Sequence, residues 1–436
     1  HKAIVGAETY DKIADCLIIS GSHREATIAL QQSLDLQGDS KEQVITCQFY
    51  FTLKTLAIIK CIQGKYNEAL DLIKQSLHLC INNEGPESLE QAEIYEAFGY
   101  IAKSMWNYKE ALSQYQRSLE IRVKNNDDNS IIKARVYNSL ASLHILLGKL
   151  LEAKTYTDIA YNRLSEKYEN GELRELADCY TNYGDIYELE DNLTSSVEYH
   201  QKSLAIKEQI YGKVHLETAD SYLHLGKIRL KLGEFSKAED FLKTAAETKS
   251  QILGRSHPQI AEILVEQALA KICLGQHNSV EELLEEARTI YLEFFSEEHH
   301  RLARIHSAYG FFHFKRSEWE KSRKLLVKSL YNYIKNFGED HPQVVYLYER
   351  IADTYLSEKQ LEKTIHYSKK CIEIAEKLFG DKHPVLASAY RTLSEAYRQK
   401  GRTAEFEEAQ KLMVEVEASR DGESHSVNSH TDSTQP

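Results

Sequence analysis

Histidine offers the most chemistry in this chain, with eighteen copies among 436 residues. His215, His257, His299, His341 and His383 stand at a constant step of 42 residues. Three of them sit in one phrase: Gly254-Arg255-Ser256-His257-Pro258, Gly338-Glu339-Asp340-His341-Pro342 and Gly380-Asp381-Lys382-His383-Pro384. An imidazole can ligate a metal, move a proton or accept a hydrogen bond. A metal shared between these five is excluded by distance. Successive repeats are offset by at least a helix-packing distance, ~8–10 Å, whereas ligands sit ~2 Å from their ion. Their expected role is to pack the joint or cap the helix that follows. A less regular group, His299, His300, His306 and His313, reads as core or groove histidines, because His306 and His313 lie seven apart on one helical face. No metal and no cofactor are expected. Glu281-Glu282 and Glu285-Glu286 read as a solvated helix face. No G-x-G-x-x-G, Walker loop, H-E-x-x-H or G-x-S-x-G occurs, and no nucleophile stands beside a base. The chain is therefore expected not to be an enzyme.

The elements that hold these residues follow the same period. Gly21, Gly64, Trp106, Gly148, Asp191, Gly233, Gly275, Ser317, Lys359 and Gly401 succeed one another at 42 or 43 residues. Seven residues earlier the side chain is small every time: Ala14, Ala57, Gly99, Ala141, Gly184, Gly226, Ala268, Gly310, Ala352 and Ser394. Twelve residues later a second small series runs Ser33, Ser76, Ser118, Ala160, Ser203, Ala245, Ala287, Ser329 and Cys371. Each unit holds two segments of helical periodicity. Ile260, Leu264 and Ala268 recur along the first, and proline at its start needs no N–H partner. Val280, Leu284 and Ala287 recur along the second. Small residues let two helix axes approach closely, and Gly226 against Ala238 is an expected contact. One pair cannot bury its apolar face alone, so pairs must stack into an all-α solenoid.

The period, the columns and the Gly-x-x-His-Pro joint resemble the tetratricopeptide repeat, in the longer form found in kinesin light chains and nephrocystin-3-like proteins. The resemblance implies a right-handed superhelical solenoid of antiparallel helix pairs. About ten repeats would occupy residues 1–417, the last a polar cap, with a disordered polar tail over 418–436. It also implies that the first helix of each pair lines a concave surface. Removing the packing columns leaves Asp220, Leu223, Lys227, Glu262, Val265, Leu269 and Phe311 as the middle of a peptide-binding groove. Asn138 and Asn182 fall near positions where the family holds a peptide backbone. Two readings of the apolar stripe stay open. Either it anchors a partner, or curvature buries it against neighbouring repeats. The expected function is a scaffold or adaptor that binds a protein or peptide ligand with apolar anchors and basic flanks. The alternatives are a structural component of a large assembly such as a cilium, or the regulatory repeat region of a larger protein.

Composition narrows the partners. A formal charge of −12 makes the chain a poor binder of phosphate backbones, so no nucleic acid is expected. No apolar run approaches the ~18 residues of a membrane helix, so no membrane insertion is expected. Seven cysteines with no C-x-x-C pair read as reduced thiols of a cytoplasmic protein, with cytoskeletal or ciliary association left open.

Overall fold

The computed structural model describes residues 2–19, 22–38, 47–127, 129–165 and 174–428. These form twenty α-helices and one 3-10 turn, with no strand among the described residues. In chain order the helices are α1 (Lys2–Ile19), α2 (His23–Gly38), α3 (Cys47–Ile62), α4 (Tyr66–Glu84), α5 (Leu89–Ser104), α6 (Tyr108–Lys124) and α7 (Ser130–Leu146). There follow α8 (Leu150–Ser165), α9 (Arg174–Leu189), α10 (Leu193–Tyr211), α11 (Leu216–Lys231), α12 (Phe235–Leu253), α13 (Pro258–Cys273) and α14 (Val280–Phe294). The last are α15 (His300–Lys315), α16 (Trp319–Phe337), α17 (Pro342–Ser357), α18 (Leu361–Phe379), α19 (Pro384–Lys400) and α20 (Thr403–Asn428). They divide into two compact units. The first comprises His1–Ile186 and Thr194–Ile260, the second Tyr187–Leu193 and Ala261–Pro436. Inside each unit chain neighbours pack as pairs, and first helices also touch one another: α3 with α5 and α5 with α7 in the first unit, α15 with α17 and α17 with α19 in the second. Among the described residues no helix is long and apolar enough to cross a membrane.

The residue that recurs every 42 positions ends the first helix of each pair. Gly148 takes φ 71° and Gly275 φ 72°, and Trp106, Asp191, Ser317 and Lys359 hold the same left-handed region between 56° and 59°. Gly21 lies outside the described residues. The N–H after this residue bonds back five residues, as in Lys65 to Lys60 at 2.8 Å and Gln276 to Lys271 at 2.9 Å. This closes the helix with a left-handed cap and satisfies carbonyls that would otherwise be orphaned. The cap turns the chain through a tight corner, so the second helix starts at once.

The small residue seven positions before the turn faces the second helix of its own pair. A Cβ on Gly226 would come 2.8 Å from the Leu242 side chain and 3.5 Å from the Ala238 carbonyl, and one on Gly310 2.7 Å from Leu326. The serine column adds a bond. Ser76 Oγ donates to the Tyr50 carbonyl at 2.6 Å, Ser118 to Ala92 at 2.7 Å and Ser329 to Ala303 at 2.7 Å. A hydroxyl clasps the facing backbone where an apolar side chain would hold it away.

The joint histidines cap the helices that follow them. Nδ1 of His215, His257 and His341 each accepts the N–H two residues on, at 3.2 Å. Four of these rings stack on the aromatic residue four positions earlier: Tyr211, Phe295, Phe337 and Phe379, with centroids 4.2–4.5 Å apart. Earlier repeats lack the histidine and use Ser88 and Asn129 as caps at the same joint. The last helix, α20, continues past residue 417, where the sequence places the start of a polar tail, and residues 429–436 lie outside the described residues.

Candidate functional site

In the first unit the inner faces of the first helices carry a charged surface. Lys103 of α5 donates to Ser142 of α7. Lys207 reaches in from α10, with Nζ 3.7 Å from Asp178 of α9 and 3.3 Å from Glu217 of α11. Arg174 lies 3.2 Å from Glu217. Lys249 of α12 pairs with Asp220 and donates to Gln259 at 2.8 Å. Asp185 of α9 stands 3.0 Å from His224 Nδ1 and 3.4 Å from His200 Nε2.

The titration of these groups reports the shape of the surface they line. The side chains of Asp178, Asp185, Glu217 and His224 are 19–29% exposed, yet loss of hydration is the largest influence on each. Burial pulls the Lys103 ammonium below the usual lysine range, while Asp178, Asp185, Glu217 and Asp220 act against it. Acids on α9 and α11 therefore face a lysine on α5, and water reaches each group from one side. Burial alone would raise the Asp185 carboxyl, but His224 and His200 hold it at about 2. Burial opposes Glu217 likewise, and Lys207 and Arg174 keep it at about 2.

The residues expected to form a groove fall in both units. In the first, Asp220 is engaged by Lys249, and Lys227 acts on Asp185. Leu223 is 4% exposed and belongs to the core. Asn138 and Asn182 are buried and hold this chain's own backbone. Asn138 Nδ2 donates to the Glu175 carbonyl at 2.8 Å, and Asn182 Nδ2 to the Asn138 carbonyl at 3.1 Å. They stitch α7 to α9. In the second unit Val265 is fully buried, and Glu262 pairs with Arg301 at 2.9 Å. Leu269 and Phe311 are half-buried on successive first helices. The Arg350 guanidinium lies 4.4 Å from the Phe311 ring centre and Lys315 Nζ 5.4 Å, a cation and aromatic arrangement that favours both partners.

Several side chains of these faces were missed from sequence: Lys207, Lys249, His200, His224 and Arg350. A signal existed for one of them. His200 stands where other repeats place Tyr115, Leu242 and Leu326, and a polar residue in an apolar column marks either a fault or a site. Among the described residues one histidine and carboxylate group has metal-ligand spacing. It is Asp185, His200 and His224, and none of the histidines singled out by their period belongs to it.

Comparisons with known proteins follow this geometry. The tetratricopeptide repeat family model matches residues 50–124, 175–251, 217–293 and 344–412. The chain belongs to the tetratricopeptide repeat family. No curated protein matches it. Among solved structures it is similar to a Rap protein complexed with competence and sporulation factor, at TM-score 0.62 and 14% identity, over 85% of this chain and 98% of that one. RapI in its apo form aligns at TM-score 0.47 and 16% identity over 85% and 98%. A putative kinesin light chain from Podosopora anserina with nearly identical TPR-like repeats aligns at 0.38 and 19% over 47% and 98%. The first likeness shows the fold. Tetratricopeptide repeats are protein-interaction scaffolds, and this chain is built as one.

Proposed function

We propose that this tetratricopeptide repeat protein is a non-enzymatic adaptor that holds a peptide segment against the inner faces of its first helices. The observation that carries the reading is the Leu269 and Phe311 surface of the second unit. Both side chains keep part of their apolar area in water at positions the packing columns do not require, and Arg350 lies over the Phe311 ring. An apolar anchor lying there would remove that area from water, and such anchors commonly contribute ~2 kcal/mol or more each. Asp220 and Glu262 are already paired with Lys249 and Arg301, so basic flanks would have to compete for them. Recognition therefore rests on the apolar anchor first. The Rap relative, solved with competence and sporulation factor, supports a ligand on such a scaffold.

A displayed library of random peptides, selected on the folded protein, tests this. Peptides with one or two large apolar residues should be enriched. The Leu269→Asp, Phe311→Asp double variant should lose them at least ~10-fold, about 1.4 kcal/mol, with helicity by circular dichroism unchanged. Enrichment that survives the double variant undiminished places the interaction elsewhere on the chain.

A further inference from the structure

Asp185, His200 and His224 lie on three different helices of the first unit, α9, α10 and α11, and their donor atoms all fall within 4.8 Å of one another. Asp185 Oδ1 is the hub, 3.0 Å from His224 Nδ1 and 3.4 Å from His200 Nε2. A zinc ion bound at ~2.0–2.2 Å from three such atoms holds them roughly 3.3–3.5 Å apart in tetrahedral geometry. Both histidine nitrogens stand at about that distance from Asp185 Oδ1, and small side-chain shifts within the 4.8 Å limit would seat an ion. The two imidazoles stack with centroids 4.9 Å apart and planes 21° from parallel, which restrains both rings.

A second observation concerns how His200 comes to be there. It is 1% exposed, in a column that faces the small residue of the first helix. In the neighbouring pairs that space over Gly99, Gly226 and Gly310 is filled by Tyr115, Leu242 and Leu326. Here Gly184 leaves room for the imidazole, and a Cβ on Gly184 would come 2.5 Å from Nε2. A core position has been given to a ligating side chain whose tip meets the carboxylate of the inner face. Asp185 and His224 are 19% and 27% exposed, so one side of the group stays open to solvent.

The geometry points to a binding site for one first-row divalent cation of the zinc class, held by Asp185, His200 and His224 with an exchangeable position facing that open side. Imidazole with one carboxylate suits zinc, cobalt, nickel, copper and iron rather than magnesium or calcium. Three protein ligands with an open fourth position leave room for water or for a donor group of a bound ligand.

The test uses the full chain, stripped with a chelator and titrated with Co2+, followed by Zn2+. One Co2+ per chain should give the intense visible bands of a four- or five-coordinate N,O site, and one equivalent of Zn2+ should bleach them. His200→Leu copies the residue of the neighbouring repeats and keeps the packing, and Asp185→Asn keeps the shape. Each should weaken Zn2+ binding by about 100-fold or more, with the circular dichroism spectrum unchanged. Two results would overturn the proposal: a stripped protein that gives no saturable Co2+ spectrum, or a spectrum that persists at full strength in both variants, which places the ion elsewhere.

Discussion

Sixteen residues after the left-handed turn, the two units differ at one repeated position. The first unit buries cations there: Arg122, Lys207 and Lys249, at 2%, 4% and 2% exposure. Cys80 and Leu164 are the exceptions. The second unit buries phenols, Tyr291 at 1% and Tyr333 at 5%, and then Ala375. In the first unit the cation reaches from the second helix to acids of the first helices, as Lys207 does to Asp178 and Glu217. In the second unit the cations stand on a first helix, where the Arg301 and Arg304 charges act on the Tyr291 and Tyr333 hydroxyls. One slot of the fold thus accepts opposite polarities. The packing columns keep the helices in place, and the columns between them are free to set the chemistry of the inner face.

The strongest way to break this comparison is to remove one member from each unit. Arg122 lies 3.0 Å from Asp127 and 3.5 Å from Glu96, whose side chains are 9% and 14% exposed. Arg122→Met leaves two enclosed carboxylates under-compensated and should cost about 3–5 kcal/mol. Tyr333→Phe removes the buried hydroxyl on which Arg304 acts and should cost about 1 kcal/mol. Thermal melts of the two variants measure the difference, and equal losses would mean that the buried cations contribute no more than the phenols.

A pH series sharpens it. Glu217 and Asp185 of the first unit are held at about 2, below their unfolded values. Their contribution is present above an unfolded pKa of about 4 and is lost only as pH falls towards 2. In the second unit burial raises Glu349 and Asp353. For these the folded state binds protons more readily. Their stabilisation is complete below the unfolded pKa and lost as pH rises through the folded one. Glu349→Gln with Asp353→Asn should therefore raise Tm at pH 7 by about 1–3 °C and have no effect near pH 4. A gain that stays constant with pH would show the carboxylates are not the cause. Superimposed on both units, burial lowers His257, His299 and His306 to about 4. The unfolded chain protonates these first, so all variants lose stability as pH falls from about 6.5 to 4.

The smallest effect is a control on what the units share. Gly233 in the first and Gly275 in the second take φ 75° and 72°, and a Cβ on either would meet nothing within 4 Å. Alanine there adds only backbone strain, about 1 kcal/mol in each unit. Unequal losses would show that the turn, and not only the face, differs between units.

Much of the fold was legible because it repeats. Left-handed turns, small helix contacts and imidazole caps are local demands, and each recurs often enough to stand out as a column. Trp106 and Lys359 show that the turn position is marked by its place and not by its residue type, since both adopt the glycine conformation. The inner face was legible only in outline. Leu223 and Val265 look exposed when the packing columns are subtracted, yet both are core. Asn138 and Asn182 have the right chemistry for holding a peptide backbone, but the backbone they hold is that of Glu175 and Asn138.

The sequence alone determined the all-α class, the repeat length, the pairing of helices and the capping role of the joint histidines. Each follows from contacts within one repeat, spaced at fixed offsets. Only the tertiary structure decided which side chains of different repeats meet. Asp185, His200 and His224 come from three helices, and Arg350 and Phe311 from two. The step of 39 residues from Asp185 to His224 and from Phe311 to Arg350 also joins Lys54 to Glu93 and Asp353 to Thr392, but the residue types at its ends change from repeat to repeat, and His200, polar in an apolar column, is the one mark in the sequence. Whether such groups pair, stack or could hold an ion depends on distances of a few ångströms set by how one repeat leans on the next.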